Sequence, residues 1–263
     1  MRSSLLWLLA FLITLASAAY QRLTGPTYPL RGKIVVAGEQ IQFKLPRTHE
    51  IISDCQVAVK APGPEISGRL EYKRYKTSDA WAEVAMTRED GKLVGYLPRQ
   101  PMAGKLAYRV YLKTGAEEVS LSGEEPVIIR FKGVVPTPVL VAHVIFMLLA
   151  MLFSTRAGLA ALDRKSHPRK LVLWTVAFLF IGGFVFGPIV QKCAFGAWWT
   201  GFPWGFDLTD NKTFIAMAGW VAALVAGRRG RPARGWTLAA SILMLVIFLV
   251  PHSLLGSELK YID

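Results

Sequence analysis

The long apolar runs of this chain are distributed unevenly, and they limit its possible folds more than any other feature. Nearly all of them lie at residues 5–19 and after residue 138. A helix needs roughly 20 predominantly apolar residues to cross a bilayer, since the hydrocarbon core is about 30 Å thick and each residue adds about 1.5 Å. The stretches after residue 138 that approach this length are Val139–Phe153, Leu171–Val190, Thr213–Gly227 and Trp236–Leu255. The sequence therefore predicts four C-terminal transmembrane helices. In the second of them Gly183 and Gly187 allow close helix packing before Pro188, which we expect to end the helix.

The N-terminus has the pattern of an export segment. Arg2 precedes the apolar run Leu5–Leu15, and the small residues of Ala16–Ala18 fit a signal-peptidase site. The apolar run is short, which favours a cleaved signal, but equally short spans occur later in the chain. Residues 1–19 are therefore either a signal peptide or a retained anchor, and both alternatives export the chain after residue 19.

The charged loops predict the orientation, because Lys and Arg are retained on the cytoplasmic side of membrane proteins. Segments 154–170 and 227–235 are rich in Lys and Arg and contain a single acid, Asp163, whereas segment 191–213 has equal numbers of acids and bases. The first two are predicted inside, and the third outside with residues 20–135. The net charge of +13 comes largely from the inner loops, so we interpret it as a topogenic signal and predict no nucleic-acid binding.

The middle of the chain alternates polar and apolar residues with a period of two, which is typical of β-strands. The predicted strands cover residues 33–36, 41–45, 56–59, 69–75, 81–86, 93–97, 106–112, 119–121 and 127–131. Turn signals such as Asp90-Gly91 separate them at spacings expected of a β-sandwich of the Ig or FnIII type. Because we find no phosphate loop, nucleophile elbow or paired-carboxylate motif here, we interpret the domain as a partner-binding module and not an enzyme.

Both cysteines are predicted to lie on the outer side, where disulfides persist. Cys55 falls in the β-domain and Cys193 near the outer end of the second C-terminal helix. A disulfide between them and two free thiols remain equal alternatives.

The outer loop of the chain is unusually aromatic. Between residues 196 and 206, glycines are interleaved with five large aromatic side chains: Trp198, Trp199, Phe202, Trp204 and Phe206. An aromatic belt at the membrane interface is the simpler interpretation, since Trp is enriched there. The alternative is a specific platform for a partner or cofactor.

Two histidines are predicted in the outer leaflet, His143 and His252. Ionisable residues within a span are costly and are functional candidates. The two side chains could supply the axial ligands of a b-type haem, or they could only form hydrogen bonds to neighbouring helices. A second candidate site, for a hard cation, comprises Asp207, Asp210 and Asn211, but either of these acids, or Thr209, could instead cap the helix that begins there.

The Trp-rich outer loop ending in Asp207, between helices that carry His143 and His252, resembles the haem-handling membrane proteins of cytochrome c maturation. The resemblance implies that the two histidines hold haem and that a platform faces it, formed by Trp198, Trp199, Trp204 and Asp207. The rest of the chain resembles uncharacterised bacterial inner-membrane proteins with an exported Ig-like domain.

These observations predict a membrane α-helical bundle with an inserted all-β Ig/FnIII-like sandwich. The expected parts are an anchor or signal (1–19), an exported periplasmic β-domain (20–135), four transmembrane helices with the Trp-rich loop 191–212 (136–255) and an outer tail (256–263). We expect a multi-pass protein of the bacterial inner membrane that contacts lipid and docks an exported or membrane partner, as a subunit or assembly factor of a haem-containing (cytochrome) electron-transfer complex. The alternatives are a protein that itself binds haem b through His143 and His252 and, third, a small transporter.

Overall fold

The computed structural model of the protein describes residues 3–228, 233–251, 256, 258–259 and 261. The chain forms two compact units, a helical unit from Met1–Pro26 and Val135–Ser257 and a β-unit from Thr27–Val134 and Glu258–Asp263. Each has its own hydrophobic core. The predicted combination of apolar helices with an inserted β-rich region is confirmed.

The helices of the helical unit follow the apolar runs. They are α1 (Ser3–Thr24), α2 (Thr137–Ala161), α3 (Arg169–Phe180), α4 (Gly187–Phe195), α5 (Leu208–Ala226) and α6 (Arg234–Leu249). In the described part of the chain, three helical segments are long and apolar enough to cross a membrane: α1, α2 and the continuous stretch Arg169–Phe195. Helix α6 is apolar but has only 16 residues, and α5 is not among the three. Two of the four predicted C-terminal spans thus have the length and composition of a crossing.

The expectation that Pro188 ends its helix is wrong. A π-helical segment, Ile181–Phe186, joins α3 to α4, and Pro188 lies in the first turn of α4, which continues to Phe195. The backbone N–H of Gly187 bonds to the carbonyl oxygen of Gly182, five residues back. This π-helical turn shifts the hydrogen-bond pattern just before Pro188, which has no N–H to donate, so the helix continues past the proline. The predicted close packing is confirmed at Gly183, where a Cβ atom would lie 2.5 Å from the Thr213 methyl group.

The core of the helical unit is built around Trp220 of α5. Its side chain is fully buried, and its indole N–H lies 3.2 Å from the sulfur of Met244 on α6. Met151 of α2 and Leu179 of α3 are buried in the same core. The core therefore joins four helices that lie far apart in the sequence.

The β-unit contains three sheets with antiparallel pairing, apart from one parallel pair. The strands are β1 (Leu30–Val36), β2 (Glu39–Leu45), β3 (Thr48–Glu50), β4 (Cys55–Lys60), β5 (Ser67–Arg74), β6 (Ala82–Ala85), β7 (Thr87–Glu89), β8 (Lys92–Leu97), β9 (Lys105–Thr114), β10 (Glu117–Ser120) and β11 (Val127–Lys132). Strands β1 and β2 form a hairpin, β4-β8-β7 form a second sheet, and β3-β11-β9-β5-β6 form the largest, with β10 added to β9. The parallel pair is β3 with β11.

One core contains residues from all three sheets. Ile41, Val57, Leu70 and Phe131 are almost completely buried in it. Tyr108 is buried there too, and its hydroxyl donates a 2.7 Å hydrogen bond to the carbonyl oxygen of Pro46. Each alternating segment of the sequence contains a strand, and in the central strands the apolar positions of the pattern are the ones that face this core.

The last residues of the sequence belong to the β-unit. The Glu258 carboxylate lies 2.9 Å from the ammonium groups of both Lys76 and Lys105. The Tyr261 hydroxyl accepts a hydrogen bond from the backbone N–H of Lys105 and lies 3.0 Å from the side-chain oxygen of Gln100. Within the predicted outer tail, Glu258 and Tyr261 therefore contact the β-unit and belong to it.

Both cysteines are free thiols. Cys55 is buried at the start of β4, and Cys193 is half-buried on α4. Burial raises the pKa of the Cys55 thiol to about 11, so this thiol stays protonated at neutral pH.

Candidate functional site

The aromatic segment forms a loop between α4 and α5, here called the aromatic loop (residues 196–206). It begins at Gly196, which ends α4 in a left-handed conformation with φ of 84°. It ends before Asp207, the N-cap of α5. Glycine suits the left-handed position that ends α4, and a short acidic residue suits the N-cap of α5.

A buried carboxylate, that of Asp210, holds the middle of the aromatic loop. Its Oδ2 atom accepts hydrogen bonds from the backbone N–H groups of Thr200 (2.7 Å) and Gly201 (3.1 Å) and from the side-chain amide of Gln191 (2.9 Å). Asn211 adds a 2.7 Å hydrogen bond, which its side-chain oxygen accepts from the backbone N–H at position 202. Hydrogen bonds to a carboxylate are stronger than neutral ones, so the backbone at 200–202 is firmly fixed.

Gly201 permits this close approach. A Cβ atom at Gly201 would lie 2.6 Å from the Cβ atom of Asp210 and 2.8 Å from the side-chain oxygen of Asn211. Any larger residue would push the loop away from α5. The glycine is therefore required mainly by packing against the helix, and the indole nitrogen of Trp199, 3.1 Å from the same Cβ position, adds to the restriction.

The aromatic side chains of the loop divide into two groups. Trp199 faces the helical unit: it stacks on Phe184 with ring centroids 5.6 Å apart, and its indole N–H donates to the carbonyl oxygen of Phe202. The others are exposed, with Trp204 at 80% and Phe206 at 94% of their full accessibility. The exposed group comprises Trp198, Phe202, Trp204 and Phe206. A fixed backbone therefore presents four aromatic side chains.

The oxygens considered for a cation have other partners. Asp207 caps α5 by accepting hydrogen bonds from the N–H groups of Thr209 and Asp210, as the capping interpretation predicts. Asp210 and Asn211 bind the loop backbone. Among the residues that the structure describes, no group of three or more His, Cys, Asp or Glu side chains suits a metal ion.

A polar cluster that the sequence did not reveal lies at the end of α6. The buried Lys212 ammonium donates to the carbonyl oxygens of Val250 (2.8 Å) and Pro251 (3.4 Å), and the Gln21 amide donates to that of Phe248 (2.8 Å). A cation at a helix C-terminus is favourable because the last carbonyl groups carry partial negative charge. The cluster ties α1, α5 and α6 together. Its one signal in the sequence is Lys212, a charged residue near the start of the mostly apolar helix α5.

Of the two candidate haem ligands, the structure describes His143. This residue, on α2, has its Nδ1 atom 2.9 Å from the carbonyl oxygen of Gly182 in the π-helical segment. A carbonyl oxygen only accepts, so Nδ1 carries the proton and Nε2 is the nitrogen left for a ligand. His252 lies outside the described residues, and its proximity to His143 stays a prediction.

Comparisons of this chain with protein-family models, with curated proteins and with solved structures find no match.

Proposed function

We propose that this is a non-enzymatic docking protein of the bacterial inner membrane. Its helices anchor it, and its exported β-unit and aromatic loop bind a membrane or periplasmic partner. The observation that carries the proposal is the aromatic loop, where exposed Trp and Phe side chains stand on a backbone held by Asp210. Aromatic residues dominate the binding energy of interfaces, and a fixed backbone lowers the entropy lost on binding.

The path of the chain supports a topology with four C-terminal spans. The chain leaves the β-unit after Val134 and rejoins it at Glu258, so the segment between them must cross the membrane an even number of times. If α2 and Arg169–Phe195 each cross once, α5 and α6 must both cross or both stay on one side. The apolar character of both helices favours two more crossings.

The strand order supports an Ig-like architecture for the β-unit. The order β4-β8-β7 corresponds to strands B-E-D of such domains, and β11-β9-β5-β6 corresponds to G-F-C-C′. Ig-like domains serve many functions, so this argument concerns the scaffold alone. It is compatible with docking and assigns no chemistry.

Site-specific photo-crosslinking tests the docking proposal. A photoreactive amino acid replaces Trp204, and in a matched control it replaces Trp236, an exposed residue in the first turn of α6. In native membranes we expect a discrete protein adduct from position 204 and none from position 236. Lipid adducts alone at position 204 would reduce the loop to an interfacial anchor.

Within this proposal the partner is a haem-containing electron-transfer complex, for which the protein is a subunit or assembly factor. The test is whether the adduct from position 204 contains a haem protein. An adduct free of haem proteins would remove this version and leave the docking function.

The second candidate function is haem b binding by His143 and His252. The hydrogen bond from His143 Nδ1 to a backbone carbonyl favours it, because metal-bound histidines usually donate their other N–H in this way. The test is a reduced-minus-oxidised absorption spectrum of protein from haem-replete cells, with His143→Ala and His252→Ala beside it. A b-type band absent from both variants supports this function; no band in the unaltered protein rejects it.

A further inference from the structure

A groove in the β-unit, here called the basic groove, concentrates positive charge. It has a volume of about 630 Å³ and is lined by five basic side chains, Arg31, Lys33, Lys44, Lys60 and Lys92. All five are exposed. None of the described residues that line it is acidic.

Strand pairing places like charges opposite one another in the basic groove. Arg31 of β1 pairs with Lys44 of β2, and Lys60 of β4 pairs with Lys92 of β8. Like charges directly opposite on neighbouring strands destabilise a sheet. The fold alone gives no reason for this arrangement, which an anionic ligand would relieve.

Several other cations of the β-unit are neutralised by acids. Arg69 forms salt bridges with Glu71, Glu83 and Glu118. In contrast, the five cations of the basic groove form no salt bridge with any described residue. Glu89 of the neighbouring strand β7 lies opposite Lys92 of β8. No salt bridge joins the two side chains in the described part of the chain. The basic groove therefore gathers five exposed cations and no acid in its lining.

We propose that the basic groove binds an acidic segment of a protein partner. Four of its five cations are lysines, whose ammonium groups are point charges on flexible stems and can reach anionic groups at varied positions. They suit carboxylates spread along a chain, and a concave groove does not match a flat bilayer. This inference rests on the proposed docking function and adds the chemistry of the partner.

The basic groove spans four strands of two sheets, β1, β2, β4 and β8. Paired strands are about 4.8 Å apart, so four strands side by side extend over roughly 15 Å or more. An extended peptide of this length carries several carboxylates. Long-range attraction between such a segment and the groove would speed association and weaken with salt.

The test measures binding of a fluorescein-labelled oligoglutamate peptide to the intact protein in a neutral detergent. Lys44→Gln with Lys60→Gln removes two groove charges; the control, Arg99→Gln with Lys113→Gln, removes two exposed charges outside the groove. We expect the groove variant to weaken binding about tenfold and the control less than about twofold, with salt weakening binding to the unaltered protein. Equal weakening by both variants would overturn the proposal.

Two further measurements keep the result interpretable. Lys44→Gln removes a repulsion, so the Tm of the groove variant should not fall, and an unchanged Tm excludes misfolding as the cause of lost binding. Tighter binding of dextran sulfate or of phosphatidylglycerol vesicles than of oligoglutamate would overturn the assignment of an acidic peptide. Crosslinking at Trp204 tests the docking function separately. A failure of peptide binding by the basic groove can therefore be distinguished from a failure of the docking function.

Discussion

At the scale of single residues, Asp210 shows how one buried carboxylate organises a candidate functional surface. It lies in the first turn of α5, and its oxygen is shared by donors from α4 and from the aromatic loop. An acid in that position is favourable in a helix, because it complements the helix dipole. Its second role, as the acceptor for Thr200 and Gly201, depends on a contact that sequence spacing does not contain.

Replacing Asp210 should loosen the aromatic loop without unfolding the protein. Asp210→Ala leaves two backbone N–H groups without an acceptor, which costs about 1–3 kcal/mol for a buried group. Limited chymotrypsin digestion should cleave within residues 198–206 about tenfold faster, because cleavage follows local opening. Asp163→Ala, which removes an acid between α2 and α3, is the control and should leave this rate unchanged. Equal rates for the Asp210 variant and the unaltered protein would contradict the role assigned to Asp210.

The buried Cys55 should be unreactive in the folded protein. The buried Cys55 has a pKa of about 11 because burial disfavours the thiolate, and the thiolate is the reactive form. We expect maleimide-polyethylene glycol to leave Cys55 unmodified in the folded protein at pH 7 and to modify it after denaturation in SDS. Mass spectrometry of the β-unit peptides distinguishes it from Cys193. Modification of Cys55 in the native protein would show that β4 opens readily.

At the scale of elements, the contact between Glu258 and the β-unit should depend on pH. Burial raises the pKa of Glu258, but hydrogen bonds from Lys76 and Lys105 outweigh this and lower it overall. A lowered pKa in the folded state means that the contact stabilises the protein above the usual glutamate range and is lost as pH falls through the lowered value.

The measurement is the Tm difference between the unaltered protein and Glu258→Gln. We expect the unaltered protein to have the higher Tm at pH 7, and the difference to shrink below about pH 4. Glu125→Gln, at an exposed position of the same unit, should show no such pH-dependent difference. A difference that grows on acidification would contradict the assignment.

Strands could be predicted from the sequence where the alternation of polar and apolar residues matches the alternation of exposed and buried positions. The alternation in β9 places Leu106, Tyr108 and Val110 in the core, and the sequence shows it plainly. The short strands β3 and β7 show no such pattern, because their residues are half-buried or exposed. The π-helical segment could not be predicted for a different reason. Its one extra residue per turn shifts which side chains face the core, but in an entirely apolar run the sequence does not show which side chains those are.

At the scale of the whole molecule, the sequence predicted the two-part organisation because long apolar runs and alternating strands are local signals. It also singled out the aromatic loop by its composition, but not the hydrogen bonds that hold the loop, and it could not predict features built by contacts between distant segments. Gln21 and Lys212 meet the end of α6 across almost the whole length of the chain. The basic groove likewise emerges only when β1, β2, β4 and β8 are brought side by side.

The topology gives the last prediction. Because Glu258 and Tyr261 bind within the β-unit, these residues and the β-unit must lie on the same side of the membrane, and the basic loops predict that this side is outside. Alkaline phosphatase, which is active only outside, should therefore be active when fused after Asp263 or inserted at Gly123, a turn of the β-unit. The same enzyme inserted after His167 should be inactive, and green fluorescent protein there should fluoresce. Activity at Gly123 without activity after Asp263 would require an odd number of crossings, which the contacts of Glu258 do not allow.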